Sequence, residues 1–152
     1  MDEIVARSMA KWPNVPAVYG WLSLDRRGNW RIKGERVGNA ALREFIGRNY
    51  QSDGRGCWFF QNGPQRVFVR LAYTPLVVHY EDGALLDHCA RPFSPSNVLQ
   101  DDEGSVLIEG ESGIALLDDR DLEHMTERAD SLPRIARAEV AGRFGFVPDP
   151  RP

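Results

Sequence analysis

The chain has 152 residues, with 19 basic and 22 acidic side chains for a formal net charge of −3, and is 42% hydrophobic and 10% aromatic. That composition excludes a disordered chain and a domain that is basic throughout; a length near 150 buries roughly two-thirds of the unfolded surface, so one domain, or two small lobes sharing a core, is expected. No apolar run approaches the ~20 residues of a membrane helix, and the N-terminus lacks the apolar stretch of a secretory signal.

Residues 1–17 read as a flexible segment, because Pro13 and Pro16 interrupt regular structure. Val18 to Leu24 alternates as a strand, Asp25-Arg26-Arg27-Gly28 turns, and Asn29 to Lys33 returns. Asn39 is a good helix cap, followed by Leu42, Phe45 and Ile46 at helical spacing. The central stretch follows. Trp58-Phe59-Phe60 and Val67 to Tyr73 flank Asn62-Gly63-Pro64, which reads as a hairpin turn, widened or bulged by the proline. Leu76–Tyr80 and Ala84–His88 form a second hairpin, and residues 89–97 a linker. Val98–Gln100 and Ser105–Glu109 form a third, and Ile114–Leu117 is a short strand. A helix capped by Asp118 or Asp119 carries Leu122, Met125 and Ala129, and Pro148, Pro150 and Pro152 mark a frayed end over residues 148–152. The fold class is therefore α+β and β-rich, with antiparallel hairpins and two short helices.

Residues 25–35 and 101–111 share the pattern D-x-x-G-x-Φ-x-I-x-G-E. With the helix and aromatic segment after each, this points to an internal duplication of a hairpin-helix-strand module, at about 18–88 and 97–147 within one domain of 18–147. Chance recurrence of acidic-plus-glycine turns is the competing explanation.

The charge is split. Residues 1–76 carry 12 Arg/Lys against 6 Asp/Glu, and residues 77–152 carry 7 against 16. Such a split suits a polyanion partner for the basic half, or two halves that attract each other within or between copies. Two cysteines make no disulfide framework, so a reduced, cytoplasmic protein is expected.

Three sites follow from these residues. A binding surface on the aromatic hairpin comprises Trp58, Phe60, Gln61, Asn62, Arg66 and Arg70; packing inside the core is the plainer use of those aromatics. Asp118, Asp119, Asp121 and His124 have the donor types of a divalent-metal site for a small hydrolase-type enzyme, although acids at a helix start need no metal. Arginines interleaved with Trp21, Trp30, Tyr50 and Trp58 could hold single-stranded nucleic acid, against which the overall pI of about 5.6 argues. Cys57, His79, His88 and Cys89 lack zinc-ligand spacing. No phosphate-binding glycine loop and no nucleophile elbow is present. The reading is of a non-enzymatic binding or interaction module with no cofactor. Its partner is another protein or a second copy, with a small molecule as a further candidate and no membrane.

The runs Tyr19–Asp25, Gly28-Asn29-Trp30, Trp58–Val67 and Leu117–Asp121 resemble an uncharacterised family of small proteobacterial proteins, over residues 18–125. The resemblance implies a soluble bacterial protein and assigns no catalytic residue.

Overall fold

The computed structural model describes residues 12–125 and 131–152, without the side chains of 124 and 125. The strands are β1 (Ala17–Leu24), β2 (Trp30–Ile32), β3 (Glu35–Arg36), β4 (Tyr50–Ser52), β5 (Trp58–Asn62), β6 (Gln65–Leu71), β7 (Leu76–Glu81), β8 (Ala84–Asp87), β9 (Pro95–Asp101), β10 (Val106–Gly110), β11 (Gly113–Leu117) and β12 (Arg134–Ile135). Helix α1 spans Ala40–Arg48, helix α2 spans Arg137–Phe144, and a 3-10 turn covers Asp119–Met125. The fold is α+β and β-rich.

Two six-stranded mixed sheets result, in the orders β3-β2-β1-β6-β5-β4 and β12-β9-β10-β11-β7-β8. Their connectivities correspond. In each, an opening strand makes an antiparallel hairpin with the next, β1 with β2 and β7 with β8. The chain then leaves and returns as an antiparallel three-strand meander, whose last strand lies parallel beside the opening one: β6 beside β1, β11 beside β7. Helix α1 occupies the first departure, and residues 88–94 the second.

The sheets divide the chain at residues 72–75, so the hairpin of β7 and β8 belongs with the second sheet and not with the first module, where the sequence put it. The shared D-x-x-G pattern also aligns places of different connectivity. Asp25–Gly28 joins β1 to β2, whereas Asp101–Gly104 joins β9 to β10 and corresponds to Asp53–Gly56 between β4 and β5.

What recurs is a turn chemistry. Oδ1 of Asp25 accepts from the N–H groups of Arg27 and Asn29. Asp53, Asp87 and Asp101 do the same two and four residues onward. The residue three after each aspartate is left-handed: Gly28, Gly56, Ala90 and Gly104, at φ between 63° and 85°. An aspartate that satisfies two turn amides, followed by a left-handed residue, is locally determined. The pattern therefore recurs without implying equivalent positions.

Of the other local expectations, the Asn39 cap holds. Asn39 Oδ1 accepts from Leu42 N–H at 2.9 Å as the α1 cap. The aromatic hairpin closes on a two-residue turn, since Asn62 pairs with Gln65. Gly63 takes φ 56°, and Pro64, which has no amide proton, follows at the second central position, so the turn is neither widened nor bulged. The aromatic segment of the second expected module, Phe144–Phe146, is a helix end: Gly145 is left-handed at φ 70°, and the N–H groups of Gly145 and Phe146 both donate to Ala141 O.

The core brings the halves together. Trp30, Tyr50 and the His88 ring pack edge-on, with centroids 4.8–5.4 Å apart. Tyr50 donates its hydroxyl to Pro75 O at 2.7 Å. Arg91 reaches back to donate to Gly47 O and Tyr50 O, at 2.5 and 3.1 Å. Residues 12–15 and 148–150 are tied in more than the prolines suggest. Trp12 is buried, stacks on Trp21 and meets Phe60 edge-on, while Gln65 Nε2 donates to Pro13 O and Val15 O. Leu71 N–H donates to Pro148 O at 2.7 Å, and Pro150 is buried. A proline removes one donor but keeps its acceptor and its apolar ring, and both are used here. Residues 1–11 lie outside the described residues, as do Ala129 and the side chain of Met125 in the expected second helix. No helix among the described residues is long and apolar enough to cross a membrane.

Candidate functional site

The side chains grouped on the aromatic hairpin point to opposite faces. Trp58 and Phe60 are buried in the main core, at 9% and 0% exposure. Gln61 pairs with Arg66 on the other face, where Phe59 faces Phe68. Arg66 lies over the Phe59 ring at 4.4 Å, and Tyr19 stacks on Phe68 at 4.8 Å. Asn62 donates to Gln65 Oε1 at the turn. Only Gln61, Arg66 and Arg70 therefore share an outward face, because the strand period separates them from Trp58 and Phe60.

The acidic group is spent on structure. Asp118 is 3% exposed and binds the Arg120 guanidinium with both oxygens. Burial pushes its carboxyl up, but the Arg120 hydrogen bonds outweigh this and hold it below the usual carboxylate range. Asp119 pairs with Arg27, and Asp121 Oδ2 accepts from Tyr80 N–H. The His124 side chain lies outside the described residues. Among those described, no three His, Cys, Asp or Glu side chains are placed to hold a metal. Burial pushes the Cys89 thiol up to about 12, assisted by Asp87, and raises that of Cys57 as well, so neither is an activated nucleophile.

A different group lies on the outer face of the first sheet. Ser23 of β1 is the register partner of both Arg31 on β2 and Arg70 on β6. The two arginines thus stand one strand to either side of it, roughly 10 Å apart at the backbone. Beside them Lys33 sits over the Trp21 ring at 3.8 Å, its N–H donating to Trp21 O. These residues line a hollow of about 360 Å³ with Asp25 and Ala72. Asp25 is occupied by Arg31, Asn29 and its own turn. Burial raises its carboxyl, but the hydrogen bonds from Asn29, Arg27 and Arg31 outweigh that and lower it. Lys33 and Arg70 make no ion pair among the described residues. The sequence shows these residues as part of a general basic half; their register, set by long-range pairing, is what assembles them. Ser23 carried no signal at all.

The aromatics of this half are already covered. Trp21 is in contact with both Trp12 and Lys33; Trp30 and Tyr50 are buried; Tyr19 and Phe59 are engaged by Phe68 and Arg66.

A family described as "Protein of unknown function (DUF2946)" matches residues 1–151. The chain belongs to this family. The expected resemblance to an uncharacterised family is thus met. The fold is similar to that of a DUF1285 family protein from Silicibacter pomeroyi DSS-3, with a TM-score of 0.58 and 14% identity over 84% of each chain. It is similar also to a DUF1285 family protein from Shewanella baltica OS155, with a TM-score of 0.54 and 14% identity over 70% of this chain and 91% of that one. Identity this low speaks for the fold alone. No curated protein matches the chain.

Proposed function

We propose that this DUF2946 protein is a non-enzymatic binding module that takes an anion in the hollow between Arg31, Lys33 and Arg70. The observation that carries this is the Arg31–Ser23–Arg70 row with Lys33 beside it: Lys33 and Arg70 have no acid partner among the described residues, and Asp25, the carboxylate lining the hollow, is held by Arg31, Asn29 and its own turn. Arginine forks suit phosphate and carboxylate oxygens. Single-stranded nucleic acid is a weaker reading, since stacking needs open aromatic faces and those of this half are engaged. A hydrolase built on Asp118, Asp119 and Asp121 is weaker too, because each carboxylate is already bonded to the protein. The matching sheet connectivities support an internal duplication, with hairpin, connection and meander as the unit. Two free cysteines favour a cytoplasmic protein.

The test is thermal unfolding at low ionic strength with inorganic phosphate and sulfate. A ligand at 100 times its Kd adds about 2.7 kcal/mol, which is several degrees for a domain of this size. The shift is expected in the parent protein and absent in Arg70→Gln. No shift in either protein removes the proposal.

A further inference from the structure

Resting on the anion site just proposed, we infer that its ligand is an amphipathic organic anion, whose apolar body lies in a trough that continues from the hollow. The trough has a volume of about 530 Å³ and is lined by Ala72, Ala138, Ala141, Phe146, Pro148 and Arg137. That volume lies within the range of small-molecule pockets.

The continuity comes from the strand. Arg70 and Ala72 are two residues apart at the end of β6 and both are exposed, so the outward row runs from the cationic end to Ala72, which lines both spaces. The Leu71–Pro148 hydrogen bond holds the C-terminal segment against this strand and makes it the trough's wall. The opposite wall is α2, which presents the small side chains of Ala138 and Ala141 and so leaves the space open.

The charges at the far end are already used. Asp102 accepts from Arg137 N–H at 2.7 Å. The Arg137 guanidinium pairs with Glu103 and lies 4.8 Å from the Tyr73 ring centroid. Uncompensated positive charge is therefore found at the Arg70 end, followed by an apolar floor. A headgroup of phosphate or carboxylate type at Arg31, Lys33 and Arg70, carrying a short alkyl or aryl body toward Phe146, matches this order. A compact inorganic anion leaves the floor unused.

The experiment compares inorganic phosphate with octyl phosphate, kept below its micelle concentration, by calorimetric titration of the full chain. Octyl phosphate is expected to bind at least tenfold more tightly. Ala138→Phe places a ring in the trough from an exposed helix position. It should bring octyl phosphate down to the affinity of inorganic phosphate and leave the latter unchanged. Pro148→Phe provides the same obstruction from the C-terminal wall, away from the anion hollow, should the helix variant melt early. Arg70→Gln should weaken both ligands.

Equal affinity of the two phosphates in the parent protein overturns this inference and leaves the anion site standing. Binding of neither removes both readings. Octyl phosphate that binds Arg70→Gln as tightly as the parent is held elsewhere, and overturns the inference. Sedimentation with phosphatidylglycerol vesicles without any response to octyl phosphate would make the surface a membrane contact, and overturns it equally.

Discussion

On the first sheet, Arg31 and Arg70 flank Ser23 on the outward row, with Arg70 exposed and Arg31 half-buried on Asp25, which also closes its own turn. On the second, Asp87, Asp101 and the adjoining Asp118 are buried, with their oxygens accepting backbone and arginine N–H groups. The two sheets share a connectivity, yet the first leaves Lys33 and Arg70 exposed without an acid partner among the described residues, while the second buries three carboxylates in its turns and ends. Among the described residues, most ion pairs are made within a half and not between halves. Arg27–Asp119 does cross from one to the other, but Arg31–Asp25, Arg120–Asp118 and Arg137–Glu103 stay within their own half. Acids that serve turns are lost to outside partners, and basic residues left over on a sheet face are available to them.

The largest effect should come from Asp101, which is fully buried and accepts from Glu103, Ser105 and the Tyr73 hydroxyl. Asp101→Ala is expected to cost about 3–5 kcal/mol in urea unfolding, since several donors lose their acceptor together. Asp25→Ala, in a turn closer to solvent, should cost about half that; equal costs would erase the contrast between the sheets.

Next is the tie across the seam. Arg91→Ala removes both donations to the first half and should cost about 2–3 kcal/mol, as charged hydrogen bonds to backbone do. A cost near zero would show that the halves dock without it.

Acid should loosen the seam by way of His88. Burial, with Arg91 adding to it, lowers this imidazole from 6.5 to about 3. Its Nδ1 accepts from Val77 N–H, and its Nε2 is sealed from solvent without a partner among the described residues. As pH falls the unfolded chain takes up this proton first. The contribution is complete above pH 6.5 and is lost progressively toward pH 3, about 2 kcal/mol by pH 5. Melting temperatures across this range should show that slope in the parent protein and a shallower one in His88→Asn.

A smaller effect distinguishes the turns. Ala90 is left-handed at φ 63° where the other three aspartate turns have glycine. Ala90→Gly should stabilise by about 1 kcal/mol, and Gly104→Ala should destabilise by a similar amount, measured by chemical denaturation. The smallest effect is at Arg70, where Arg70→Gln should change stability by less than about 0.5 kcal/mol while removing the response to phosphate. A large loss of stability there would mean that the row serves the fold.

Much of the local structure was legible in the sequence. The alternation of Val18 to Leu24 and of Val67 to Tyr73, the Asn39 cap and the aspartate turns each depend on a few neighbouring residues, so a short window suffices. What a short window could not decide is which turn corresponds to which, where the chain divides, and which face a residue shares with a distant strand. The shared D-x-x-G turns suggested a repeat in the wrong frame, because the same local hydrogen bonds arise wherever aspartate precedes a left-handed residue. Trp58 and Arg70 looked like neighbours on one surface, yet hairpin register sends one into the core and the other to solvent. Arg31, Ser23 and Arg70 are separated by up to 47 positions in the chain, and only the antiparallel pairing of β1 with β2 and the parallel pairing of β1 with β6 set them side by side. Sequence alone determined the hairpin strands, the first helix and the aspartate turns, through hydrogen bonds made within a few residues. The candidate site was decided by tertiary structure, because strand register is a long-range property of the sheet.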